Sequence, residues 1–568
     1  MKKNSPQRKY FYAVLLTAVL FSTNTLSFFA QCRSVKPGYL TNPAINPNAN
    51  NFTGTILIGT VEADASEFPL QAIAINNQDA NVFNPLWNPP KYNGPLGNQW
   101  TSAALGNLFG VTLDRAGNIY AASAGSIFAD GTTSGSLSGN HSGAIYRIDA
   151  NTGLASSFIN LTQDDANQSA DNVLQGPGLG DVTTDYATPL NIYASNFEDG
   201  RIYRLDANAN ILGSYDHGIQ GRPNAANVAG LEAISDTNQN QSYLNQISTG
   251  ITLPGRRVWA TEVNNGRLYY SVWWETGSDQ PQNGWYGAGV NINDESRKNE
   301  VWSVGLNADG SFNNASVRRE FSMSAVSGTG SLEPITDIIF MPNGRMIIAT
   351  RGMALNGGLF GNFHKGLVIE LSGGYPNWTA NRTKFAVGQN GNDGSGGLAF
   401  DPTGNLGGGR IWATGESLFL GSYNNQQADT FGYQGMNDNG TNQNPSTSVL
   451  VDSNATSDQE KGSIGDVDIT CGVTTAASAT VSGRVLFGQE AVSRANVTIQ
   501  NTRTNETKIV QTNSFGNFVF GELAVGDSYV VTVNAKKYPS TNQTRFFQLN
   551  DSIGDLEFQL NDAAGRKR

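Results

Sequence analysis

The chain has 568 residues, 15% of them charged, with two cysteines and a net charge of −11. That length exceeds one ordinary domain unless the domain is a large β array. The acidic balance excludes nucleic acid and anionic lipid as partners, since both need a basic face, and leaves divalent cations or neutral and cationic ligands.

Residues 1–30 predict a signal peptide. Lys2, Lys3, Arg8 and Lys9 form a basic start, and Phe11 to Phe21 is an apolar run too short for a membrane span. No other stretch predicts a span, so the expected place is secreted or at the cell surface. The leader's four basic residues are matched by no acid, so the rest of the chain carries −15, and residues 31–478 carry about −17. Cys32 and Cys471 flank this acidic body. In an oxidising compartment they read as one disulfide tying its start to its end; the alternative is two thiols. By loop entropy such a closure contributes roughly 5 kcal/mol.

Residues 31–52 are rich in Pro and Asn and read as an extended arm. Thr55–Thr60 and Leu70–Ile75 predict strands. A long loop, 76–102, follows, with Trp87 and Trp100. Then comes a recurring unit. In Leu108–Gly153 an apolar strand, an Asp114–Gly117 turn, a second strand from Ile119 and a third from Ala144 to Asp149 follow one another. Period-2 runs bounded by Asp, Asn and Gly are the mark of short antiparallel strands. The unit returns at Leu179–Gly213, at Leu231–Glu275 with Val301–Phe312 as its last strand, at Leu332–Gly373 and at Gly396–Tyr423. Each reads as an apolar strand, a turn, an I/V-x-A-T/S strand and a G-x-I/V-Y strand. Several strands per repeat at this spacing predict a β-propeller. A sixth sheet is expected from both ends, with Thr55–Thr60 and Ala72–Ile75 joining Ile464–Ile469. Residues 424–462 show almost no apolar pattern and predict a loop or blade insertion.

These units resemble NHL-type and related six-bladed β-propellers, over 53–471. After a linker, 472–479, residues 480–560 alternate strictly. Gly483-Arg-Val485, Ala495-Asn-Val497, Gly516-Asn-Phe518 and Tyr529 to Val533 resemble the carboxypeptidase regulatory-like module, a transthyretin-like β-sandwich of the carbohydrate-binding-like fold class. The resemblance implies a non-catalytic accessory domain. Residues 561–568 are a tail. The fold class is therefore all-β.

No catalytic motif stands out. His141, His217 and His364 are scattered and predict loop or turn positions, and there is no H-E-x-x-H or G-x-S-x-G. Some six-bladed propellers, the lactonases and calcium-dependent phosphotriesterases, hold Ca²⁺ on the axis through Glu, Asn and Asp, and hard cations need such oxygen ligands. By that resemblance Glu232, Glu333, Asp181 and Asp337, at the entries of inner strands, are candidate ligands; the alternative is that they end strands or cap turns. Asp206–Asn210 and Asp236–Asn240 echo a calcium loop but lack its Gly and Glu, and read as turns. Tyr269, Tyr270, Trp273 and Trp274 are expected to be at least half blade core. Trp285 and Tyr286, in a loop, are candidate ligand-stacking residues. The leading reading is a secreted or cell-surface binding or scaffold protein whose propeller meets a glycan, peptide or protein. The alternative is a Ca²⁺-dependent propeller hydrolase.

Overall fold

The computed structural model describes residues 36–52, 54–61, 68–75, 83–95, 100–124, 135–139, 141, 143–161, 178–196, 199–225, 252, 255–274, 298–327, 333–341, 343–355, 359–361, 364–402, 409–453, 463–470, 479–501, 507–523, 528–535, 543–549 and 553–560. Six four-stranded antiparallel sheets make up its larger part. Blade 1 takes its inner strand, Ile464–Thr470, from the far end of the body and pairs it with Thr55–Val61, then Leu70–Ile75 and Lys91–Tyr92. Leu57 lies opposite Ile469 in that seam. The inner strands of blades 2 to 6 are Leu108–Leu113, Leu179–Thr184, Arg257–Asn264, Ile335–Phe340 and Gly394–Asp401. Each touches the next, and the sixth touches the first, so the ring is closed. The six-bladed propeller and its closing blade are as the sequence predicts.

The core is divided into slabs, one between each pair of neighbouring blades. Ile119 and Ala121 pack toward blade 1, and Tyr120 and Ala122 toward blade 3. Both faces of a blade are thus covered, which is why the five residues Ile119–Ser123 are all buried. Turns are held by their own side chains. The Asp206 carboxylate accepts the N–H groups of Asn208 (2.8 Å) and Asn210 (2.9 Å), so this segment is a turn, as expected.

Three sequence readings change. In blade 4 the strand Arg257–Asn264 is the inner one, and Glu300–Leu306 is the third, followed by Phe312–Ser322. The I/V-x-A-T spelling of Val258–Thr261 had suggested a second strand. Within 424–462, Gln426–Asn437 is a twelve-residue strand and Val449–Asp452 another, not a loop. They are polar in sequence because Gln434 is buried and bonded: its amide donates to Ala386 O and accepts from Gly388 N. His217 lies at a turn, a short π-helical one, and is fully buried there. Residues 36–52 carry two helical turns, Gly38–Thr41 and Ala49–Asn51, and bury Tyr39, Leu40 and Phe52 against blades 1 and 2. Tyr269, Tyr270, Trp273 and Trp274 are all buried.

The C-terminal strands form two sheets facing one core of Val481, Val497, Phe518, Val531 and Phe558 among others. One sheet centres on Ala479–Phe487, between Asn517–Leu523 and the parallel Ile553–Leu560; the other runs Thr507–Gln511, Asn496–Asn501, Ser528–Asn534, Gln543–Gln548. No described helix is long and apolar enough to cross a membrane.

Candidate functional site

The inner strands place one position of each blade at the axis. Around the ring it is Asp466, Gly110, Asp181, Ala260, Asp337 and Gly397. Aspartate thus alternates with a residue of minimal size. Each aspartate repeats the same bonds. Its Oδ1 accepts the N–H of its own next residue: Val467 (2.7 Å), Val182 (2.7 Å) and Ile338 (2.6 Å). Its Oδ2 accepts an N–H from the next blade's inner strand: Val111 (3.0 Å), Thr261 (2.8 Å) and Leu398 (2.6 Å). The carboxyls therefore join blades 1 to 2, 3 to 4 and 5 to 6. At the junctions 2 to 3 and 6 to 1 a glycine makes room: a Cβ on Gly110 would lie 2.6 Å from Asp181 Cα, and one on Gly397 2.5 Å from Asp466 Cα.

All three aspartates are buried. Burial pushes the carboxyls of Asp181 and Asp337 up, and the Asp466 charge across the axis pushes them further. Burial raises Asp466 to about 7, against the bonds it accepts from Val111 and Val467. The interaction between the Asp337 and Asp466 carboxyls raises the first and lowers the second. Two residues further along the same strands, Asp468 is raised to about 6 by burial and accepts from Leu113 N (3.1 Å), while Thr183 donates to Glu262 (3.2 Å). These groups line a cavity of about 160 Å³ whose walls include Thr112, Tyr186 and Asn264. On the other side of the aspartates, the Phe109 and Trp259 rings meet at 5.4 Å. They come from blades 2 and 4, which are not neighbours, so the contact crosses the axis. Arg351 lies over Phe109 and donates to the carbonyls of Ser395 and Ile464, both at 2.6 Å. The axis is plugged there.

A second repeat explains the T/S of the sequence unit. The Ser195 hydroxyl accepts Asp181 N–H (2.9 Å) and donates to Trp259 O of the next blade (2.5 Å). Thr60 does the same between Asp466 N and Phe109 O, and Ser271 between Ala260 N and Ile335 O. Ala122 holds the equivalent place in blade 2 and supplies no hydroxyl, while the Ser123 hydroxyl next to it has no hydrogen-bond partner among the described residues. Ser195→Ala is therefore expected to cost about 2 kcal/mol, because it strands a buried donor and acceptor, whereas Ser123→Ala is expected to change little. Denaturant midpoints of the two variants check this; equal losses would show that the bonds contribute nothing.

Of the predicted metal ligands, Asp181 and Asp337 meet at the axis. Glu333 is buried before the inner strand of blade 5, where it accepts Met353 N–H (3.2 Å), and it does not line the cavity. Glu232, Trp285, Tyr286, Cys32, Cys471 and residues 1–30 lie outside the described residues. Asp466 and Asp468 were missed as site residues although their strand was predicted. The signal was present: G-D-V occurs at both 180–182 and 465–467. Among the described residues, no three His, Cys, Asp or Glu side chains are placed to hold one metal ion. Away from the axis, His364 Nδ1 and the buried Asp393 carboxylate are 2.6 Å apart, and Asn390 N–H also bonds Asp393 (2.9 Å).

The sandwich strands and their register recover the module that the sequence resembles. Residues 480–561 match the family model of the carboxypeptidase regulatory-like domain. No curated protein matches the chain in sequence. Among solved structures, a gluconolactonase from Xanthomonas campestris aligns with 12% identity over 60% of this chain and 83% of its own, at a TM-score of 0.26. An exo-β-1,3-galactanase from Clostridium thermocellum aligns with 10% identity over 78% of this chain and 82% of its own, at a TM-score of 0.29. Likenesses at these values decide nothing about the substrate of this chain.

Proposed function

We propose that the protein is a secreted or cell-surface binding protein, with the propeller as the platform that meets a glycan, peptide or protein and the carboxypeptidase regulatory-like domain as an accessory module. The observation that supports this most is the use of the axial carboxyls. Both oxygens of Asp181, Asp337 and Asp466 accept backbone N–H groups, so the most reactive groups on the axis serve to clamp blades together. A calcium-dependent hydrolase is the second reading. The convergence of three carboxyls at one cavity favours it, and their engagement by the backbone weighs against it.

Melting of the mature protein in excess Ca²⁺ and in EDTA separates the two. A folded-state site at a hundredfold excess over Kd adds about 2.7 kcal/mol. The binding reading expects the two melting curves to coincide. A calcium-dependent rise that disappears in Asp337→Asn or in the Glu232→Ala/Glu333→Ala pair would overturn it and send the protein to lactone and phosphotriester screens.

A further inference from the structure

Among the described residues, one sheet face of the C-terminal domain carries no charged side chain. In the sheet Thr507–Gln511, Asn496–Asn501, Ser528–Asn534, Gln543–Gln548, the register aligns Ile509, Thr498, Thr532 and Thr544 in one row across all four strands. The adjoining row ends on Phe546, opposite Val530. With the third row, Gln511, Asn496 and Asn534, the eleven outward positions with described side chains are four Thr, two Asn, two Gln, one Ile, one Val and one Phe. Segment 480–560 has fourteen charged residues, and none takes one of these positions. Lys508 and Arg545 fall on the alternate positions, paired with the buried Ile499 and Val531. The other sheet keeps the usual pattern, with Arg484 beside Glu557 in register.

Solvent-facing strands ordinarily carry Lys and Glu, which keep flat sheets apart. Here Phe546 is 68% exposed and Ile509 65% exposed, among side chains that both donate and accept hydrogen bonds. Those side chains are already ordered in rows: the Gln511 amide donates to Asn496 (3.0 Å), and the Thr532 and Thr544 hydroxyls are 3.4 Å apart. The occupant such a face suits is itself uncharged, with apolar C–H faces to lie on an aromatic ring and hydroxyls to exchange with threonines. A polyanion finds no cation there and is repelled by the acidic body.

We propose that this sheet face binds a neutral polysaccharide. The site stands whether or not the propeller holds a ligand of its own. The test is retention of the full mature protein on cellulose, xylan, mannan and β-1,3-glucan, with alginate as the anionic control. Retention by at least one neutral polymer and not by alginate is expected. Phe546→Ala is expected to weaken that binding tenfold or more. Thr532→Val, which keeps shape and loses only the hydroxyl, is expected to weaken it severalfold. Val519→Ala, on the other sheet and 58% exposed, is expected to leave it unchanged. Failure to bind any of the four neutral polymers, or equal binding by the Phe546 and Thr532 variants with native melting curves, would overturn the proposal. So would a dimer in sedimentation velocity that Ile509→Arg splits, since the face would then be covered by a second copy.

Discussion

Gly397→Ala is expected to open the propeller. The added Cβ would lie 2.5 Å from Asp466 Cα, 2.6 Å from its Oδ1 and 2.9 Å from Val467 N. Two of these are backbone atoms of a buried strand, and no side-chain rotation relieves the contact. Overpacking of this kind costs about 3 kcal/mol or more. The location magnifies the effect. Gly397 belongs to the inner strand of blade 6 and Asp466 to that of blade 1, the sheet assembled from 464–470 and 55–92. Pushing these strands apart loosens the one blade held by pairing between distant parts of the chain. Limited proteolysis is then expected to cut near the closing strand, and the denaturant midpoint to fall sharply. Gly213→Ala is the control, since its added Cβ meets nothing within 4 Å. A Gly397→Ala protein within about 0.5 kcal/mol of the native one, the range of neutral surface changes, would show that the seam yields easily.

The same position shows what the sequence could and could not reveal. The strands were legible because their apolar runs are short and bounded by Asp, Asn and Gly turns. Blade closure was legible because five units were visible and the strands left over, Thr55–Thr60, Ala72–Ile75 and Ile464–Ile469, lay at the two ends of the body. The Asp/Gly alternation was harder to see. Asp181 and Asp337 drew notice as acids in apolar strands, but Asp466 lies beside Asp468 in a strand read for its closure, and Gly110 and Gly397 look like ordinary strand glycines. Their meaning lies in the distance to the next blade. Polar strands were misread for a related reason: Gln434 supplies the hydrogen bonds its neighbours need, and a hydrophobic pattern does not register that. His217 lies at a turn as expected, but its burial was not legible, because it depends on Tyr270 and Trp302 of blade 4.

Stability is expected to rise as the pH falls, in one limb from 8 to 6.5 and in a second below 6.5 that is shallower than the carboxyls alone would give. Asp466, raised to about 7 from an ordinary 3.8, sets the first limb. A carboxyl whose folded pKa is raised holds its proton better in the native state, so its contribution is complete below the unfolded pKa and is lost as pH climbs through the folded one. Between pH 8 and 6.5 Asp466 alone gives about 0.8 kcal/mol, and the upward-shifted Asp181 and Asp337 act in the same direction. Burial holds the His217 imidazole well below 6.5, aided by the positive charges of Arg222 and Arg256. Its sign is opposite: a buried neutral histidine stabilises above the unfolded pKa and loses that contribution as the pH drops, at up to about 1.4 kcal/mol per unit. Its Nδ1 meets the Tyr270 hydroxyl at 2.9 Å, so the opposing contribution below pH 6.5 comes from the boundary of blades 3 and 4, and the axial carboxyls outweigh it. Urea midpoints from pH 4.5 to 8.5 resolve them. Asp337→Asn is expected to flatten the limb above pH 6.5, because it removes one member of the coupled pair. His217→Phe is expected to steepen the rise below pH 6.5 and leave the upper limb in place. A midpoint that climbs steadily from pH 5 to 8 would contradict the raised carboxyls and return the axis to three ordinary, ionised aspartates.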